Sequence, residues 1–108
     1  MSTKKRRGSK SESMSFLESL AGEEFSFAAL LKSIRKGEGL SQVEFAELLG
    51  ISRSHLCDIE KGRKAVSPAR AAQFANVLEY SPEQFVRIVL QEQLDNAGLK
   101  IKVELRAA

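Results

Sequence analysis

Cysteine and histidine are nearly absent from this chain: there is one of each, Cys57 and His55. A single cysteine excludes an internal disulfide and suits a reducing cytoplasm. Two positions apart on a helix, the two side chains point about 200° away from each other and cannot share a metal ion. No apolar run approaches the ~20 residues of a transmembrane span. The basic N-terminus is not followed by an apolar stretch, so no secretory signal is expected. There is no Gly-rich phosphate loop, no nucleophile elbow, and no set of nucleophile, base and metal ligands. The expectation is a cytoplasmic protein that is not an enzyme and carries neither metal nor cofactor.

What is present is a small apolar inventory and an uneven charge. In 108 residues, 43% are apolar, enough for one compact core. The net charge of +3 hides a division. Lys4, Lys5, Arg6, Arg7 and Lys10 crowd the first ten residues without an acid, so the basic character belongs to the tail. Residues 53–70 then hold five basic and two acidic residues, whereas 79–95 hold one basic and four acidic. That asymmetry suits a basic edge facing a polyanion and an acidic far side.

The most ordered pattern lies in Gln42–Lys61, QVEFAELLGISRSHLCDIEK. Ser41 is a good N-cap, and Glu44 three residues later completes a capping box. Phe45, Ala46 and Leu49 fall on one helical face. Gly50 ends the helix where a positive φ is tolerated, and Ile51 tucks under the turn. Ser52 caps a second helix whose inward residues are Leu56 and Ile59. Its opposite face carries Ser54, Cys57, Asp58 and Lys61, with Arg53 at the shoulder. Two short helices on a tight turn look like a helix-turn-helix DNA-binding motif.

The wider stretch, LKSIRKGEGLSQVEFAELLGISRSHLCDIEKGR, resembles the lambda-repressor-like (XRE, Cro/cI-type) regulators. The shared features are the Ser-Gln entry, the small Ala46, the Gly50 turn and the Glu-x-Gly exit. The resemblance spans about residues 26–94 and implies an all-α domain of five helices that binds double-stranded DNA. It implies that Gln42, at the start of the second helix, lies against the DNA backbone. It also implies that Arg35 pairs with Glu60 at the end of the recognition helix, a partly buried pair that is costly to break.

The rest of the chain divides around this motif. Residues 1–22 hold a basic, disordered tail and a short amphipathic helix, Met14–Leu20. The tail is either solvated, an arm on phosphates, or a segment that orders with a partner. The domain itself runs from 23 to 97. Its first helix starts at Ser26 with Phe27, Leu30, Leu31 and Ile34 inward, and breaks at Gly37–Gly39. The fourth starts at Ser67-Pro68 with Ala71, Phe74, Ala75 and Leu78 inward. The fifth starts at Ser81-Pro82 with Gln84 completing a capping box. Phe85, Ile88 and Val89 form its core stripe. Val86, Leu90, Leu94 and Ala97 form a second stripe, which points to a dimer interface or to cover by Met14–Leu20. In residues 98–108, Leu99, Ile101, Val103 and Leu105 alternate with charged residues. That period predicts a half-buried β-strand pairing with a second copy or another protein.

Side-chain chemistry then assigns the surface. Arg53 is the best base reader because it can bond a guanine bidentately. Ser54 suits any base, and Asp58 can accept from a cytosine amine while repelling phosphate. Ser52, His55, Lys61, Arg63 and Lys64 are backbone candidates. Arg70, in a first helical turn where the dipole disfavours a cation, is either a surface residue or a phosphate contact. Cys57 is a bystander on this face. The reading is a dimeric, nucleoid-associated repressor of a palindromic operator. The alternative rests on similarity to HigA-like antitoxins, which repress their own operon and sequester a small toxin protein.

Overall fold

Each helix in the described part of the chain begins on a serine. The structure is a computed structural model and describes residues 26–106 and 108. The expected basic tail and the Met14–Leu20 helix lie outside them. The helices are α1 (Phe27–Gly37), α2 (Gln42–Leu49), α3 (Arg53–Glu60), α4 (Pro68–Leu78) and α5 (Pro82–Asn96). Ser26, Ser41, Ser52, Ser67 and Ser81 stand at their N-caps in extended conformation. Each hydroxyl accepts the backbone N–H three residues on, at 3.0–3.3 Å. Such a cap contributes about 1 kcal/mol by satisfying a donor the helix itself cannot. At α2 the box is complete, because Glu44 Oε1 also accepts from the Ser41 N–H at 2.8 Å. At α5, by contrast, Ser81 Oγ bonds Glu83 Oε1, the side chain one residue before the expected Gln84.

Helices of eight residues are not stable alone, so α2 and α3 depend on what they cover. Phe45, Ala46 and Leu49 of α2 and Leu56 and Ile59 of α3 are buried. They meet the inward faces of α1, α4 and α5 in one core, as the helical spacing predicts. Phe45, Phe74 and Phe85 are fully buried, and burial of each such side chain is worth roughly 2–3 kcal/mol. Phe85 is the centre of an aromatic group, edge-on to Phe27 at 5.5 Å and tilted against Tyr80 at 5.6 Å. The ends of α1 and α5 are joined by a bond across the fold: Glu92 Oε1 accepts the Phe27 N–H at 3.2 Å. Val66, in the loop after α3, also belongs to this core.

Gly50 ends α2 at φ 77°, the left-handed conformation that a Cβ would strain. Its N–H then bonds the carbonyls of the last turn. Glu79 adopts the same conformation, φ 65°, at the end of α4 although it is not glycine.

The expected C-terminal β-strand is absent. Among the described residues there is no strand at all, and residues 99–106 have no regular secondary structure. A strand exists through a neighbouring backbone, and here a side chain takes that place. The Gln91 amide donates to the Ile101 carbonyl from Nε2 and accepts the Val103 N–H at Oε1, both at 2.8 Å. The segment turns back at Gly98, φ 79°, and the Leu99 N–H bonds the Leu94 carbonyl at 3.0 Å. It therefore lies along the end of its own helix α5. Its alternation does not bury one face: Leu99, Ile101 and Leu105 are 46%, 54% and 38% exposed, and Val103 alone is half-buried. The second stripe of α5 is half-buried at Val86, Leu90 and Leu94 and exposed at Ala97.

Candidate nucleic-acid interface

The orientation of α3 is set from its far end. Glu60 is its last residue, where the helix dipole disfavours a negative charge, so its carboxylate needs donors. Arg35 of α1 supplies two in a fork, Nε to Oε2 at 2.7 Å and Nη2 to Oε1 at 3.0 Å. Gln42, the first residue of α2, adds Nε2 to Oε1 at 3.1 Å. The third guanidinium nitrogen, Nη1, bonds the Leu40 carbonyl in the loop between α1 and α2 at 3.2 Å. The Arg35 and Glu60 side chains are 12% and 3% exposed. This cluster ties together α1, the entry to α2 and the exit of α3, while Leu56 and Ile59 fix the rest of α3 from inside. Bidentate geometry in a nearly dry site makes it a rigid joint.

The opposite side of α3 is open. Arg53 and Ser54 are exposed at its first turn, beside the exposed cap Ser52. His55, Cys57 and Asp58 are half-buried. Past the helix end, Lys61, Arg63 and Lys64 are exposed on the exit loop. The positions assigned to base reading, and those assigned to phosphate apart from Gln42 and Arg70, thus sit on one element and its continuation. Among the described residues, Arg53, Lys61 and Lys64 make no salt bridge. An unpaired cation at an exposed first turn is free to meet a carbonyl or ring nitrogen of a base, or a phosphate.

The side chains of four assigned residues have partners within the chain. The Gln42 amide nitrogen, expected at the DNA backbone, is engaged by Glu60. Ser52 Oγ accepts from the His55 N–H, so capping uses its lone pair and leaves its proton to donate. Asp58 and Arg63, expected as separate contacts, face each other, Nη1 to Oδ1 at 3.3 Å. Arg70 stands on another element, in the first turn of α4, half-buried, its N–H bonded to Ser67 Oγ. The sequence signal for the Asp58–Arg63 pair was available: an acid in the last helical turn followed by a base just past the helix end. The Gln91 contact had no such signal, because a glutamine amide can bond any backbone it meets.

Comparison with known proteins agrees with this geometry. Residues 31–85 match the sequence profile of the family described as Helix-turn-helix (HTH_3). The ImmF control region 10 kDa protein of Bacillus phage phi105 is 40% identical, with 54% of this chain and 72% of that protein covered. A Thermococcus kodakarensis protein, named provisionally as an HTH-type transcriptional regulatory protein, is 33% identical over 76 residues. That alignment takes in 70% of this chain but 21% of the archaeal protein, so this chain corresponds to about a fifth of that relative's length. The crystal structure of an HTH_3 family transcriptional regulator from Vibrio cholerae superposes with a TM-score of 0.50 at 37% identity. It covers 55% of this chain and 33% of the Vibrio chain.

Proposed function

The chain belongs to the helix-turn-helix family of transcriptional regulators, and from that premise we propose that it represses transcription by reading one palindromic operator in double-stranded DNA as a homodimer. The observation that carries this reading is the division of α3. Its inner face is buried and the side chain of its last residue, Glu60, is 3% exposed and held by three donors, whereas Arg53 and Ser54 stand exposed on an element anchored behind them. Such a helix enters a major groove with its N-terminal residues at base edges. Arg53, Ser54 and Asp58 are the base readers. Ser52, His55, Lys61, Arg63, Lys64 and Arg70 take phosphates, and they set affinity and register rather than sequence. Gln42 contributes mainly by positioning Glu60 and retains its amide oxygen and second N–H for other contacts. The protein acts in the cytoplasm, on the nucleoid. Among the described residues no helix is long and apolar enough to cross a membrane.

The dimer surface is the half-buried stripe Val86, Leu90 and Leu94 together with Leu99, Ile101, Val103 and Leu105. Two copies related by a two-fold axis would place two α3 helices on half-sites about one DNA turn apart, ~34 Å. A second reading, capture of a small toxin protein, is favoured by the same exposed Leu99, Ile101 and Leu105. Light scattering separates the two. A mass of twice the chain's 11.9 kDa supports the homodimer. A heavier complex with a second small protein, after co-expression with the flanking genes, supports the toxin partner. A monomer in both preparations removes both.

The base-reading role is tested with Arg53→Ala on an operator duplex selected from a random library and on a random duplex. The selected duplex should lose about 1–3 kcal/mol more than the random one. Equal loss on both would reduce Arg53 to a phosphate contact.

A further inference from the structure

Asp58 is unusual among the residues of the proposed groove surface in carrying a negative charge, and it is not isolated. The exit loop wraps onto it. Its carbonyl accepts the N–H of Arg63 at 2.8 Å and of Lys64 at 3.3 Å. Its carboxylate takes Arg63 Nη1 at 3.3 Å. The two side chains are 31% and 62% exposed, and such a wet pair is held only weakly. The neighbouring cations Arg53, Lys61 and Lys64 have no such partner among the described residues.

We propose that Asp58 is a built-in counterion that withholds Arg63 from phosphate on arbitrary DNA, so that this pair sets the ratio of specific to nonspecific binding. The proposal rests on the DNA-binding reading above. A phosphate can take Arg63 from Asp58 at little cost, but the carboxylate is then left facing a polyanion, and its repulsion offsets what Arg63 gains. On a random sequence the pair therefore brings almost no net charge to the DNA. On the correct sequence a base donor, such as a cytosine amine, satisfies Asp58 in the groove. Arg63 then passes to phosphate without leaving an unpaired carboxylate behind. A cation that would bind any DNA becomes one that binds fully only beside the right base.

The test uses the full chain with Asp58→Asn, Arg63→Gln and the double variant, with Asp58→Ser as a second removal of the charge. Binding is measured on a random-sequence duplex and on the library-selected operator duplex across a salt series. Releasing Arg63 adds one effective phosphate contact, so on random duplex Asp58→Asn should steepen the log–log salt slope by about 0.9 and tighten low-salt binding about threefold. In the Arg63→Gln background only the repulsion of the carboxylate is left to remove, so both changes should be clearly smaller there, and the selected-to-random ratio of Asp58→Asn should fall. If the gain is as large in the Arg63→Gln background as in the wild type, Asp58 acts by repulsion alone and the coupling is refuted. No gain on random duplex with either variant also refutes it. Absence of wild-type binding to every duplex is a different result, because it removes the DNA-binding reading on which the pair's role depends.

Discussion

The end of α3 and the end of α5 are each tied down by a single side chain, in opposite settings. Glu60 collects three donor nitrogens from α1 and α2 at 3% exposure. Gln91 holds Ile101 and Val103 through two bonds of similar length at the surface. The first tie joins elements that already share a core, so its charge is nearly dry and its loss would strand a largely covered guanidinium. The second joins a helix to a segment whose apolar side chains stay largely in water. Bond length is therefore a poor guide to what a contact contributes. Burial of the partners, and the number of elements that move together, decide it.

The sharpest way to break the comparison is Glu60→Ala. It leaves Arg35 charged and 12% exposed without its partner. Stability should fall by about 3 kcal/mol, read as a lower denaturation midpoint with an unchanged slope. A loss no larger than that of an exposed pair would show the α3 tie to be as slight as the α5 one.

A smaller effect is expected at the entry to the same motif. Ser41→Ala removes the cap of α2 and one half of its box and should cost about 1 kcal/mol. Hydrogen exchange should concentrate the loss at the first turn of α2. A uniform loss across all helices would argue that the cap acts through the core instead.

The smallest change belongs to Gln91→Ala. Global stability should shift by about 0.5 kcal/mol for these bonds, one exposed and one partly buried, while the Val103 amide loses its exchange protection. A large drop in the unfolding midpoint would mean that residues 99–106 are part of the core after all.

Much of the fold was legible because its signals are local. The five serine caps, the Gly50 stop and the inward residues of α1 to α5 follow from rules that act within a helical turn or two. The resemblance to lambda-repressor-like regulators pointed to Arg35 and Glu60, and the structure adds Gln42 and the Leu40 carbonyl to that pair. The C-terminal segment misled for a physical reason. Alternation of apolar and charged residues reports an extended backbone, and an extended backbone becomes a strand only beside another. The Leu99–Leu105 pattern contains the first half of that requirement and says nothing of the second. Val66 escaped notice because a single apolar residue in a loop has no period to betray it.

By itself the sequence determined where the helices start and stop, which faces turn inward, and that Arg53 and Ser54 would lie on the open side of α3. Each of these depends on neighbours within a few positions. Only the tertiary structure decided which partner a polar side chain would choose. Gln42 turned to Glu60, Arg63 to Asp58, and Gln91 to a passing backbone. Such choices depend on which groups the packed helices bring within about 3 Å, and that proximity is fixed by the core as a whole.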